Sequence, residues 1–183
     1  MSGSGAHFDG VRAAAAVGIM TSGILSGAII SASAWGIPAI LTTASSSSSD
    51  APLTTLRAFT TLYNRGKSTA PPLAALASAS FAYAALRASN VPFITNGSFA
   101  AAHRSLLFGA AAVLTVGIVP FTFAVMMRGI RVLVRASEGE GEARKLGEGR
   151  AVEGVVAWGA QNYVRGLLPL VGCALGTWAS FAS

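Results

Sequence analysis

Four long stretches of the chain carry no charged residue, and they set its organisation. Ala13–Trp35 and Ser105–Met127 each give 23 uncharged residues, Pro72–Leu86 gives 15 and Gly166–Ala182 gives 17. Crossing roughly 30 Å of hydrocarbon takes about 20 apolar residues in a helix. The first and third stretches reach that length unaided. The second and fourth reach it if Arg87 and Arg165 extend their long stems to the interface, or if the helices run on into polar sequence. Spans are therefore expected at about 13–35, 72–88, 105–127 and 160–182. Lipid offers backbone groups no hydrogen-bond partner, so each span must be helical. The expected fold class is all-α, an integral membrane four-helix bundle.

The segments between the spans have their own patterns. Residues 1–12 are rich in Gly and Ser and read as a disordered tail. Ser45–Ser49 is a run of five serines, the composition of a flexible loop. From Ala51 to Asn64 the pattern turns helical, with Leu53, Leu56, Phe59, Thr60 and Tyr63 on one stripe and Arg57 and Asn64 off it. This predicts an amphipathic helix over 51–64, at or near the interface. Arg65-Gly66-Lys67 and Pro71-Pro72 are expected to end it, the prolines opening span two. Residues 90–97 form a short loop with an Asn-Gly turn and a glycosylation acceptor pattern at Asn96-Gly97-Ser98. Residues 137–150 mix four glutamates with three basic residues and read as a mobile, solvated linker. Gly23 with Gly27, and Gly172 with Gly176, give small-xxx-small pairs suited to close helix packing.

Composition and charge agree with lipid as the solvent. Apolar residues make up 52% of the chain, charged residues only 11% against about a quarter in soluble domains, and mean hydropathy is +0.59. The net charge of +6 reports topology. Nine Lys/Arg lie between spans one and two or between spans three and four: Arg57, Arg65, Lys67, Arg128, Arg131, Arg135, Arg144, Lys145 and Arg150. Only Arg12, Arg87 and Arg104 fall on the other side. The bias predicts cytosolic loops at 36–71 and 128–152, with attraction to anionic lipid. No aromatic-interleaved basic patch suggests nucleic acid as a partner. Ala32-Ser33-Ala34 has the small-residue form of a signal-peptide cleavage site. The apolar stretch before it is longer than such segments usually are, however, and Asp9 as well as Arg12 precedes it. A single cysteine, Cys173, excludes an intramolecular disulfide.

Candidate chemistry is sparse. His7 and His103 are the only histidines, no Cys/His cluster has metal-ligand spacing, and no two intramembrane histidines could hold a haem from both sides. The spans carry no paired carboxylates, which disfavours a channel or an ion relay. Trp158, Asn162 and Arg165 remain, spaced i, i+4, i+7 on one helix face. An interior arginine can hydrogen-bond a carbonyl or phenolate, whereas one at a span boundary can snorkel to headgroups. Spacing leaves both open.

Three sequence blocks resemble the anthrone oxygenase family, small membrane proteins of fungi and bacteria. They are Leu62-Tyr63-Asn64-Arg65-Gly66-Lys67 with Pro71-Pro72-Leu73-Ala74; Pro120-Phe121-Thr122-Phe123 with Met126; and Trp158, Asn162, Val164, Arg165, Leu168-Pro169-Leu170 and Gly172. The chain departs from the family pattern at Arg128-Gly129-Ile130, and at Asn162, where some members carry histidine. The resemblance implies oxidation of an anthrone-like aromatic polyketide to a quinone by molecular oxygen, with no metal or organic cofactor required. It implies Arg165 and Asn162 as oxyanion partners, Tyr63 as a proton relay or stacking wall, and Trp158, Phe121, Thr122 and Met126 lining the substrate. All three blocks are expected in one leaflet. A non-catalytic four-span accessory protein retaining the family fold is the competing reading, and burial of Arg165 separates the two.

Overall fold

A computed structural model describes residues 3–45, 51–88 and 102–181, and every element among them is helical. Helix α1 (Gly3–Ser31) passes through a π-helical turn at Ala32–Gly36 into α2 (Ile37–Ser45). Helix α3 covers Ala51–Ala88. Helices α4 (Arg104–Val116) and α5 (Ile118–Phe121) lead through a second π turn, Thr122–Met126, into α6 (Met127–Ala136). A short α7 (Glu140–Leu146) precedes α8 (Glu148–Phe181). Four runs, Gly10–Thr42, Pro52–Ala88, Arg104–Ala136 and Glu148–Phe181, are long and apolar enough to cross a membrane. Met20, Ile24, Leu86, Leu106, Val113, Phe123 and Trp178 are exposed on them, an apolar exterior that suits lipid contact. The fold is that of an all-α membrane protein.

The helices outrun the apolar blocks that announce them. α1 begins at Gly3, within the segment 1–12 expected as a tail. Val11 and Ala15, one turn apart, are both buried and carry the helix beyond its uncharged stretch. The amphipathic segment 51–64 is continuous with span two, and Pro71 and Pro72 lie inside α3 rather than opening a new helix. A proline removes one intrahelical bond. Here Lys67, Ser68, Pro71 and Pro72 are all exposed, and the Ser68 and Thr69 hydroxyls donate back to the Arg65 carbonyl at 2.9 and 3.0 Å. The supposed loop 36–71 thus contains α2 and the first half of α3. Likewise 128–152 contains α6, α7 and the start of α8.

The acidic-basic linker 137–150 is also ordered. Glu140 and Glu142 open α7 and Arg144 and Lys145 close it, each sign at the end of the helix dipole that favours it. Glu140 pairs with Arg144 at 3.5 Å and Glu142 with Lys145. Ala143 is buried between them, which a solvated linker would not provide. The five-serine run beyond Ser45 and the 90–97 loop with Asn96 lie outside the described residues.

The chain divides into two compact units: one of residues 1–26, 71–118 and 167–183, the other of 27–70 and 119–166. Each crossing lies at or near a helix-weakening residue: Gly27, Pro71, Gly117 with Pro120, and Gly166 with Pro169.

The first unit is packed by alanines around two rings. Phe81, fully buried, stacks on Phe108 with centroids 6.4 Å apart. Gly18 and Gly176 make the socket for it, since a Cβ at Gly18 would lie 2.8 Å from the Phe81 ring. At Gly172 a Cβ would come within 2.6 Å of Thr115 Oγ1 and 3.0 Å of the Ala111 carbonyl. Gly172 and Gly176 are therefore close-packing positions, whereas Gly27 faces open space and is not. Ser22 donates to the Pro169 carbonyl at 2.7 Å and lies 3.1 Å from Thr115 Oγ1. Arg104, expected at the interface, is buried and donates through Nε to the Ala179 carbonyl at 2.9 Å.

The second unit has a larger-residue core: Leu53, Leu56 and Phe59 from α3, Met126, Ile130 and Leu133 from the π turn and α6, Ile37 from α2, and Val155 and Trp158 from α8. Arg57 and Asn64 face outward, opposite that apolar stripe.

Candidate functional site

Helix α8 approaches its neighbours through glycine. A Cβ at Gly159 would sit 3.2 Å from Ile37, and one at Gly166 would sit 2.7 Å from Ile30 and 3.3 Å from Ile29. Asn162 lies between these two glycines in sequence and shares their face. The close approach brings its amide to the first helical run, where Nδ2 donates to the Ile29 carbonyl at 3.1 Å and to Ser33 Oγ at 3.3 Å. This assigns the amide without ambiguity, because a backbone carbonyl can only accept. The NH2 must face Ile29, so Oδ1 must face away.

Trp158, Asn162 and Arg165 are all buried, at 6%, 2% and 9% exposure. Each holds one buried polar atom with no hydrogen-bond partner: Trp158 Nε1, Asn162 Oδ1 and Arg165 Nε. Arg165 is buried in the protein, and among the described residues no carboxylate pairs with it. Buried polar groups are nearly always satisfied, and an unpaired buried cation is costly. Three such atoms on one helix face therefore form a set: two N–H donors, one of them cationic, and one acceptor.

Aromatic rings stand beside it. Phe59 meets Trp158 edge-on at 5.2 Å and 86°, and lies parallel to Tyr63 at 6.3 Å and 10°. Tyr63 is half-buried, with the Lys67 ammonium 6.0 Å from its ring. Met126 is buried in the same core as Trp158, and Phe121 packs on that core half-buried. Thr122 is half-buried at the start of the π turn. Tyr63, Phe121, Thr122, Met126, Trp158, Asn162 and Arg165 thus all fall in the second unit.

Sequence reading passed over two groups here. Phe59 was legible as a stripe residue, four positions before Tyr63, but not as the ring between Tyr63 and Trp158. Ser33 was visible only as the middle of a cleavage-like tripeptide. It is instead buried in the first π turn, and such turns are frequent at functional sites.

The sequence profile of the anthrone oxygenase family matches residues 59–175, about two-thirds of the chain. The chain belongs to the anthrone oxygenase family. The match starts at Phe59 and takes in all seven residues just named. Among curated relatives, anthrone oxygenase encC of Aspergillus fumigatus is 34% identical over 177 residues, covering 90% of this chain and 91% of the relative. Anthrone oxygenase tpcL of the same species is also 34% identical, over 88% of this chain and 89% of the relative. Monooxygenase hypC of Dothistroma septosporum is 32% identical, over 86% and 77%. No solved structure matches the chain. Ile29 and Ser33, which hold Asn162, lie before the part of this anthrone oxygenase family member that the profile covers.

Proposed function

We propose that this protein is a membrane-embedded oxygenase that converts an anthrone-like aromatic polyketide into a quinone with molecular oxygen. The observation that carries the proposal is the set of three unpartnered buried polar atoms on α8, the first of them on an indole packed edge-on against Phe59. A flat phenolic tricycle partitions into such surroundings from lipid. Its oxygen, becoming anionic, suits two N–H donors, and a neighbouring phenol hydroxyl suits an acceptor.

The chemistry asks little of the protein. An anthrone methylene loses a proton to give an aromatised oxyanion, which adds O2 at the same carbon to form a peroxide. Loss of the remaining C–H proton and cleavage of the O–O bond release water and leave a carbonyl. One O2 is thereby reduced, one oxygen atom enters the product and the other leaves as water. Arg165 Nε and Trp158 Nε1 stabilise the oxyanion, donors held in place before charge develops. Asn162 Oδ1 accepts from a substrate hydroxyl. Tyr63 relays the proton toward the exposed stretch Lys67–Thr69 of α3. The topology that goes with this reading has four spans, and the bias of nine basic residues favours the cytosolic side for segments 36–71 and 128–152. The membrane-embedded accessory reading has no use for a buried arginine left unpaired.

The test is turnover of emodin anthrone by purified protein in lipid nanodiscs under 18O2. The expected result is quinone carrying one labelled oxygen, formed at least tenfold faster than in empty nanodiscs. A rate no higher than that of empty nanodiscs removes this reading for that substrate.

A further inference from the structure

Serine and threonine hydroxyls within helices commonly turn back on their own chain, and several here do so. Thr42 donates to Pro38, Thr61 to Arg57, Ser80 to Leu76, Thr115 to Ala111, Thr177 to Cys173 and Ser180 to Gly176, each four residues earlier. Ser33 departs from this habit. Its acceptor four residues back would be the Ile29 carbonyl, and that carbonyl receives Asn162 Nδ2 instead. The same Nδ2 also donates to Ser33 Oγ. The amide is therefore wedged between a hydroxyl and the carbonyl that would ordinarily hold it.

This placement has a local cause. Ser33 is buried within the π turn Ala32–Gly36, which ends two residues before Pro38. Pro38 has no N–H for the carbonyl four residues earlier, and its ring crowds that carbonyl, so the helix widens there. Gly159 and Gly166 bring the α8 backbone close on either side of Asn162. A single N–H bond would leave the amide free to swing about its last torsion. Two bonds to two different acceptors fix its plane, and with it the direction of Oδ1, the atom left without a partner.

We propose that Ser33 is a positioning residue of the oxygenase site, holding the Asn162 amide so that Oδ1 stays turned away from the Ile29 carbonyl as an acceptor for the substrate. This rests on the reading of the α8 face as the substrate site. Ser33 touches no reacting atom; it acts through Asn162. The first helical run, outside the part of the chain that the family profile covers, thereby contributes to the chemistry.

Two readouts test it. The chain has four asparagines, Asn64, Asn90, Asn96 and Asn162, so protein labelled with 15N-asparagine gives a short list of side-chain amide signals. The Asn162 signal is the one lost in Asn162→Ala. In Ser33→Ala that signal is expected to shift and its hydrogens to exchange faster. Quinone formation from emodin anthrone is expected to fall by about tenfold to a hundredfold, as for a reacting group displaced from its working geometry. Ser33→Thr, which keeps the hydroxyl, recovers most of the rate. In an Asn162→Ala background Ser33→Ala causes no further loss, because a residue acting only through another has nothing left to act on. An unmoved amide signal overturns the proposal, and so does an equal loss in both backgrounds, which marks simple packing. If Arg165→Ala loses activity and Ser33→Ala does not, the site stands and the positioning role falls. If the natural protein makes no quinone, the functional reading falls, while the amide signal still decides whether Ser33 holds Asn162.

Discussion

Replacing Arg165 by alanine or methionine will lower quinone formation by about 10²–10³-fold and leave the protein as heat-stable as before, or more so. The first half follows from removing a preorganised donor aimed at developing negative charge. The second follows from the same geometry. Arg165 is buried, and among the described residues its Nε has no partner and no carboxylate balances it, so the folded protein carries the cost of an uncompensated cation. Removing the cation removes that cost. Loss of activity together with an unchanged or raised melting temperature in detergent is the signature of a group kept for function. Arg165→Lys is expected to restore little, because an ammonium cannot present a guanidinium's directed N–H. An arginine that serves packing alone would show the opposite pattern, falling stability with full activity.

Phe81→Ala gives the largest expected loss of stability. Its ring is fully buried between Gly18 and Gly176 and stacked on Phe108. Phenylalanine truncations in water-soluble cores cost about 3–5 kcal/mol, of which part is transfer to water. In a helix bundle surrounded by lipid that transfer term is small, since lipid tails are as apolar as the core. The cavity term remains, about 2–3 kcal/mol. Gly18→Ala should reverse sign with background. In the natural protein its Cβ meets the Phe81 ring at 2.8 Å and destabilises. In Phe81→Ala it partly refills the vacated socket. Thermal unfolding of the two single variants and the double variant in one detergent measures this coupling.

Hydropathy located the four helical runs long and apolar enough to cross a membrane, because a charge-free stretch is what lipid would tolerate. It misjudged their ends because helix continuity obeys a different rule. A helix goes on while backbone bonds are satisfied and some residue packs, as Val11 does for α1 and Ala143 for α7. Pro71-Pro72 signalled a helix start by the habits of soluble proteins. Within α3 they sit on an exposed face beside Lys67 and Ser68, and the helix continues through them.

At the site, the i, i+4, i+7 spacing of Trp158, Asn162 and Arg165 was legible, and the three motif blocks pointed to the family. That Arg165 faces inward was not legible, because an arginine near a span boundary can reach headgroups just as well. Nor could spacing reveal that Asn162 reaches Ser33 and Ile29, 129 and 133 positions away. That pairing depends on two glycines of α8 and on the π turn before Pro38, and neither names a partner so distant along the chain.

The three tryptophans offer the most direct look at the site. Trp35 and Trp178 are exposed, at 77% and 51%, while Trp158 is buried with its indole N–H unpartnered. In protein labelled with 15N-tryptophan in lipid nanodiscs, titration with 1,8-dihydroxyanthraquinone should move the Trp158 indole signal downfield as its N–H gains an acceptor. The Trp35 and Trp178 signals should stay nearly fixed. If Trp158 stays fixed at saturating quinone, or only the two exposed indoles respond, no aromatic oxygen sits on this face of α8 and the proposed site is wrong.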